Sequence, residues 1–210
     1  MSIDSVNHED TRPEPQRPAD VPLPRPARRP RRAKADRGLP PDGELAKLAA
    51  AYLDRQRKRW PGLIDAGLLP GPCEAVVNGM VENFKERHRT GKVDLEPIRG
   101  ALEHCKQLGG AYERYSCDNS SPTSIVDQMV NILDKAYTEG RFIPWQYLFA
   151  DYSVTGLDPS RQGYSSYKAV LAEETHLIET TYIDQFDRAS RDELEWWKLA
   201  ALPQRQHGRP

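Results

Sequence analysis

Apolar and polar positions along this chain fall into three regimes. Up to about residue 42, large apolar side chains are almost missing, and proline and arginine dominate. Such a stretch cannot bury enough surface to offset the entropy of ordering it, so residues 1–42 are expected to be a disordered tail. From Glu44 to about Leu108 apolar residues recur at helical spacing. Leu45, Leu48, Ala49 and Tyr52 make one stripe, closed by Trp60-Pro61, where the residue before proline disfavours helix. Val76, Val77, Met80, Val81 and Phe84 make a second. Ile98, Leu102, Cys105 and Leu108 make a third, behind a proline at a first helical turn, Pro97. Residues 43–108 therefore read as a small helical segment, a three-helix packing unit in preference to a helix-turn-helix, with no residues of evident chemistry.

After Gly109-Gly110 the pattern changes to alternating strands and helices. Ala111–Tyr115 reads as a short strand. Ser124 with Asp127 three residues on forms a capping box, heading a helix whose stripe is Ile125, Met129, Ile132, Leu133 and Ala136. Gly140 suits its stop. A second strand is expected over Phe142–Phe149, a helix over Tyr164–Glu173 and a third strand over Leu177–Ile183. Ser190 with Glu193 caps a last helix through Leu199, and residues 203–210 read as a frayed tail. Residues 109–202 thus predict an α/β domain, a mainly parallel sheet with flanking helices.

Composition narrows the chemistry. The 30 basic and 31 acidic side chains nearly cancel, so only local clusters can argue for nucleic acid. One such cluster is Arg28-Arg29-Pro30-Arg31-Arg32, a candidate phosphate-holding tail. The three cysteines form no CxxC pair, and the five histidines are scattered, so no disulfide framework, metal site or cofactor is expected. With no apolar run of membrane-spanning length and no secretory leader, the expected location is cytoplasmic, nucleoid-associated if the chain is active.

The residues that carry chemistry sit where the predicted strands end. Arg114 and Ser116 are two apart on one strand and so share a face. Asp151 and Thr155 follow the second strand, and Asp187, Arg188, Ser190 and Arg191 follow the third. Open α/β sheets build their sites beyond the carboxyl ends of strands. A serine hydroxyl is a weak nucleophile, and guanidinium groups gathered around it would lower its pKa and stabilise charge growing on a phosphodiester. Arg114, Arg161, Arg188 and Arg191 are the candidates. Cys117, beside Ser116, points to the other face by alternation.

Tyr112-Glu113-Arg114-Tyr115-Ser116-Cys117-Asp118-Asn119, followed by Pro122-Thr123-Ser124-Ile125-Val126-Asp127-Gln128, resembles the opening of serine site-specific recombinases of the resolvase/invertase type, including large serine integrases. Phe149-Ala150-Asp151, Thr155-Gly156, Arg161-Gln162-Gly163 and Asp187-Arg188-Ala189-Ser190-Arg191-Asp192 continue the resemblance in order, from about Gly110 to Leu202. It implies that Ser116 becomes joined to a DNA 5′ phosphate. Arg114, Arg161, Arg188 and Arg191 would activate that phosphate, Gln128 and Asp187 would complete the site, and Asp151, Thr155 and Ser190 would support it. DNA is the implied partner, a dimer or tetramer the implied assembly, and neither metal nor ATP is implied.

Two departures qualify these expectations. Glu113 stands where the family usually has a small apolar residue, and a carboxylate buried on a central strand is costly unless it is paired. The chain also stops at Pro210, short of the strands and long dimer-forming helix that the resemblance implies, so the domain is expected to be partial and oligomerisation to be lost. A working recombinase, a truncated inactive remnant and a non-catalytic DNA- or partner-binding protein are the three functional expectations.

Overall fold

A nine-residue strand, β1 (Gln107–Tyr115), organises the domain. The computed structural model describes residues 38–115, 124–152, 161–173 and 175–183. β1 pairs in parallel with β2 (Arg141–Phe142), β3 (Leu148–Tyr152) and β4 (Thr180–Tyr182). Ala111 registers with Leu148 of β3 and with Tyr182 of β4, so those strands occupy opposite edges of β1. This is the expected α/β fold with a parallel sheet and flanking helices.

β1 begins earlier than the sequence pattern predicts. Gly109 and Gly110 lie inside it, so the boundary drawn between residues 108 and 109 cuts the strand. Their role is close approach. A Cβ on Gly110 would sit 2.6 Å from the Tyr167 hydroxyl, and one on Gly109 would sit 2.8 Å from the Tyr182 ring. The third helical stripe is corrected for the same reason. Helix α4 (Glu96–Leu102) ends before Cys105, and Leu108 already pairs with Phe142.

The second predicted strand is two strands. Between them Pro144 has no N–H to give a ladder, and Trp145–Tyr147 form a 3₁₀ turn. The register jumps by three residues between the pairs Leu108–Phe142 and Ala111–Leu148. Helix α1 (Asp42–Arg59) covers the break, where Tyr52 Oη and Gln56 Nε2 donate to the Ile143 carbonyl at 2.9 and 3.1 Å. The third strand is also shorter than expected, at Thr180–Tyr182.

The helices form where the apolar spacing places them. The predicted faces of α1 and of α5 (Ile125–Thr138) are buried in full, and the Ser124–Asp127 capping box is present. The short helix α2 (Pro61–Asp65) follows α1 directly. Helix α3 (Glu74–Thr90) buries only Val81 and Phe84 of its predicted stripe, with Arg87 and His88 beside them. Helix α6 (Gln162–Ala172) starts two residues before its predicted bound.

The amino-terminal helices pack on one another and also on the α/β part. α1 packs on α3, α2 and α5, and α3 also packs on α6 and on the 3₁₀ turn. Their apolar side chains belong to the same buried cluster as the sheet. Arg87 ties α3 to the first residue of β3, donating to the Leu148 carbonyl at 2.9 Å. Burial lowers its pKa to about 9, which leaves the guanidinium charged at neutral pH. No helix among the described residues is long and apolar enough to cross a membrane.

Candidate active site

Strand alternation sorts β1 into two faces. Tyr112 and Arg114 register with Phe149 and Asp151 of β3, so all four side chains share one face. α6 covers that face. Tyr112 stacks on Tyr167 with ring centres 6.4 Å apart, and Phe149 meets the same ring at 5.3 Å. Glu113 registers with Ala150 on the opposite face and is 1% exposed, so the expectation of a carboxyl buried on a central strand holds.

Asp151 is the hub. Its Oδ1 accepts from the Gly163 N–H at 3.0 Å, and its Oδ2 accepts from the Tyr164 N–H at 2.9 Å. A strand residue therefore does for α6 what an N-cap side chain normally does, since the N-cap residue itself, Arg161, makes no side-chain cap bond. The helix N-terminus favours the carboxylate electrostatically, and hydrogen bonds to a charged acceptor contribute roughly 1.5–3 kcal/mol each.

The other donor to Oδ2 is the Tyr112 hydroxyl, at 2.9 Å. That hydroxyl in turn accepts from Arg161 Nη1 at 3.1 Å. The Arg161 guanidinium lies over the Tyr164 ring at 4.6 Å and near the Tyr112 ring at 5.7 Å. Burial, then the neighbouring Asp151 carboxylate, pushes the Tyr112 pKa well above its usual value, while the charges of Arg161 and Arg114 pull the other way. Tyr112 therefore stays a hydroxyl that donates to Asp151 and accepts from Arg161. One basic side chain, Arg161 at the head of α6, donates to this oxygen near the carboxyl end of the central strand, and a second, Arg114, follows it on the same face of β1.

The structure brings Arg114, Asp151 and Arg161 together. Arg114 is 7% exposed, Arg161 3%, and Asp151 fully buried. Gln128 is also fully buried, but on α5, not on the helix that covers the Arg114 face. Ser116, Thr155, Asp187, Arg188, Ser190 and Arg191 lie outside the described residues, as do Arg28, Arg29, Arg31 and Arg32. Among the described residues no group of His, Cys, Asp or Glu side chains is placed to hold a metal ion.

Two participants escaped the sequence reading. Tyr112 appears there only as a letter in a motif, although its place two residues before Arg114 already puts it on the same face. His88 comes from α3, in the stretch expected to carry no chemistry. Its Nε2 lies 3.4 Å from Asp151 Oδ1, its ring is fully buried beside Phe84, and neither ring nitrogen makes a hydrogen bond of good geometry. Nothing local in the sequence marks it, because the contact depends on how α3 docks. Comparison of the chain with protein-family models, with curated proteins and with solved structures returned no match.

Proposed function

We propose that this chain carries a serine-nucleophile site for breaking and rejoining DNA strands, as its resemblance to serine site-specific recombinases implies. In this reading the Ser116 oxygen attacks a backbone phosphorus, the bond to the leaving 3′ oxygen breaks, and that oxygen departs as a 3′ hydroxyl. The product is a 5′-phosphoserine ester. Attack by a 3′ hydroxyl on the same phosphorus reverses the step, so the backbone bond energy is conserved and no ATP is consumed. Arg114, Arg161, Arg188 and Arg191 hold the non-bridging oxygens, where removal of one donor typically costs about 2.7–4 kcal/mol of barrier stabilisation. Gln128 and Asp187 complete the site. Asp151, Thr155 and Ser190 support it.

One observation carries the reading. Arg161 donates to the Tyr112 hydroxyl, and Arg114 shares the face of β1 that carries Tyr112 and leads directly to Ser116 in sequence. Two buried cations on one face, one of them fixed by a hydroxyl and an aromatic ring, are a frame suited to a phosphate. The test is incubation of the full chain with supercoiled DNA carrying candidate sites, followed by denaturing electrophoresis. A covalent protein–DNA adduct is expected, absent in Ser116→Ala. An adduct that survives this substitution, or none with any DNA, would refute the assignment.

A second reading, a non-catalytic DNA- or partner-binding protein built on the same fold, has one observation in its favour. Arg161 and Arg114 expose only 3% and 7% of their surface. DNA binding of equal strength in the wild type and in Ser116→Ala, without adduct, would select it.

A further inference from the structure

The amino-terminal segment reaches the candidate site at three points. Gly38, at φ +80°, lies so close to Asp151 that a Cβ there would be 2.4 Å from Oδ1, and its carbonyl accepts from the Tyr152 N–H at 2.6 Å. His88 Nε2 lies against the same Oδ1. The end of α3 is fastened to the start of α6, because Ser166 Oγ donates to the His88 carbonyl at 2.8 Å and Gln162 Nε2 to the Arg89 carbonyl at 3.2 Å. α6 and β1 hold Asp151 Oδ2, whereas Oδ1 is enclosed by Gly163, Gly38 and His88.

We propose that residues 38–91 form a clamp in cis on the site, with His88 as a positioning residue that acts through Asp151. Held on the Oδ1 side, the carboxylate keeps Oδ2 aimed at Tyr112 and Tyr164. Tyr112 then holds Arg161 through its hydroxyl. The imidazole is fully buried, its ring nitrogens make no hydrogen bond among the described residues, and its Nε2 lies 3.4 Å from this carboxylate, so its placement bears on Asp151. As regulation of the phosphodiester-transfer site, the inference rests on the function proposed above. The clamp itself is a structural claim that can be tested without that chemistry.

The experiment is amide hydrogen exchange by NMR on the full chain, comparing wild type, His88→Leu and His88→Gln. Loss of the clamp is expected to speed exchange at Gly163 and Tyr164 at least tenfold in His88→Leu, with Ile132 and Leu133 of α5 unchanged. His88→Gln, whose polar amide can occupy the same place beside Oδ1, is expected to stay within threefold of wild type. Acceleration spread equally over α5 and α6, or none at Gly163 and Tyr164, would overturn the proposal. If His88→Leu does not fold, Gly38→Ala replaces it, since its methyl would displace Oδ1 from the other side, and the same two amides decide. In the adduct assay, His88→Leu is expected to lower the rate of adduct formation about tenfold while DNA affinity is kept. An unchanged rate would mean that the clamp does not regulate the site. A wild type that forms no adduct would sink the proposed function and leave the amide measurement to decide the clamp.

Discussion

Two buried arginines, Arg87 and Arg161, sit at opposite ends of β3 and do different work. Both lie over aromatic rings: Arg87 over Phe84 at 4.6 Å and Trp145 at 5.1 Å, Arg161 over Tyr164 at 4.6 Å. Arg87 spends its donors on the Leu148 carbonyl and on Asn83 Oδ1, groups that open no route to a carboxylate. It closes a backbone acceptor where β3 begins. Arg161 donates to a hydroxyl that is itself bound to Asp151, near the end of the same strand. Burial of a guanidinium is therefore no mark of a site. Its acceptors, and the end of the strand it serves, separate a staple from a candidate for chemistry.

Alkali should break both regions and gives the largest expected effect. Burial raises the pKa of Tyr52 beside Arg87, and of Tyr112 and Tyr167 on the Arg161 face. An unfolded tyrosine ionises near pH 10, so above that the unfolded chain releases protons that the folded one keeps. Their contribution is complete below about pH 10 and is lost as pH rises towards the folded values, by up to about 1.4 kcal/mol per unit for each group. Arg87 opposes this, because its lowered folded pKa favours the fold as pH rises from about 9. Three tyrosines outweigh one arginine, so cooperative unfolding above pH 10 is expected, with tyrosinate absorbance and circular dichroism changing together. Tyrosinate appearing while ellipticity stays native would show that these hydroxyls are not held.

Asp151→Ala comes next, at about 4 kcal/mol. It leaves the Tyr112 hydroxyl and two helix-end amides without an acceptor in a buried place, and each such group costs about 1–3 kcal/mol. Arg87→Met should cost about 3 kcal/mol through the orphaned Leu148 carbonyl and lost packing. Arg161→Met should cost about half as much, because Tyr112 keeps Asp151 as its partner. Urea denaturation of the three variants measures all of this. Equal losses for the two arginine variants would erase the distinction drawn between them.

What the sequence displayed depended on the range of the interaction. The stripes of α1 and α5 and the Ser124 capping box are local patterns, and they appear where the spacing puts them. The strand break at Ile143–Tyr147 was hidden, because an apolar run with one proline does not reveal that Tyr52 and Gln56 will claim the Ile143 carbonyl. Gly109-Gly110 read as an ending because glycine usually weakens strands, yet here the pair admits the rings of Tyr182 and Tyr167. Gly110→Ala should therefore cost about 2 kcal/mol by overpacking against the Tyr167 hydroxyl. Arg114, Asp151 and Arg161 were legible because they end predicted elements in a recognisable order. His88 was not, since its contact exists only once α3 has docked.

The smallest effect is expected at a third arginine, which gives the comparison its lower bound. Arg55 of α1 reaches Asp134 of α5 through Nε and Nη2, both at 2.8 Å, a forked geometry on a carboxylate. Its side chain is 35% exposed and that of Asp134 is 38%, so water competes for both and salt screens the pair. Arg59 also reaches Asp134, so a substitution at Arg55 does not leave the carboxylate alone. Arg55→Met should cost less than about 1 kcal/mol and shrink further in molar salt, whereas the losses at Arg87 and Arg161 should hardly change. Chemical denaturation by urea at low and high sodium chloride separates the cases. A loss at Arg55 as large and as salt-independent as that at Arg87 would show that hydrogen-bond geometry, and not burial, sets what an arginine contributes to this fold.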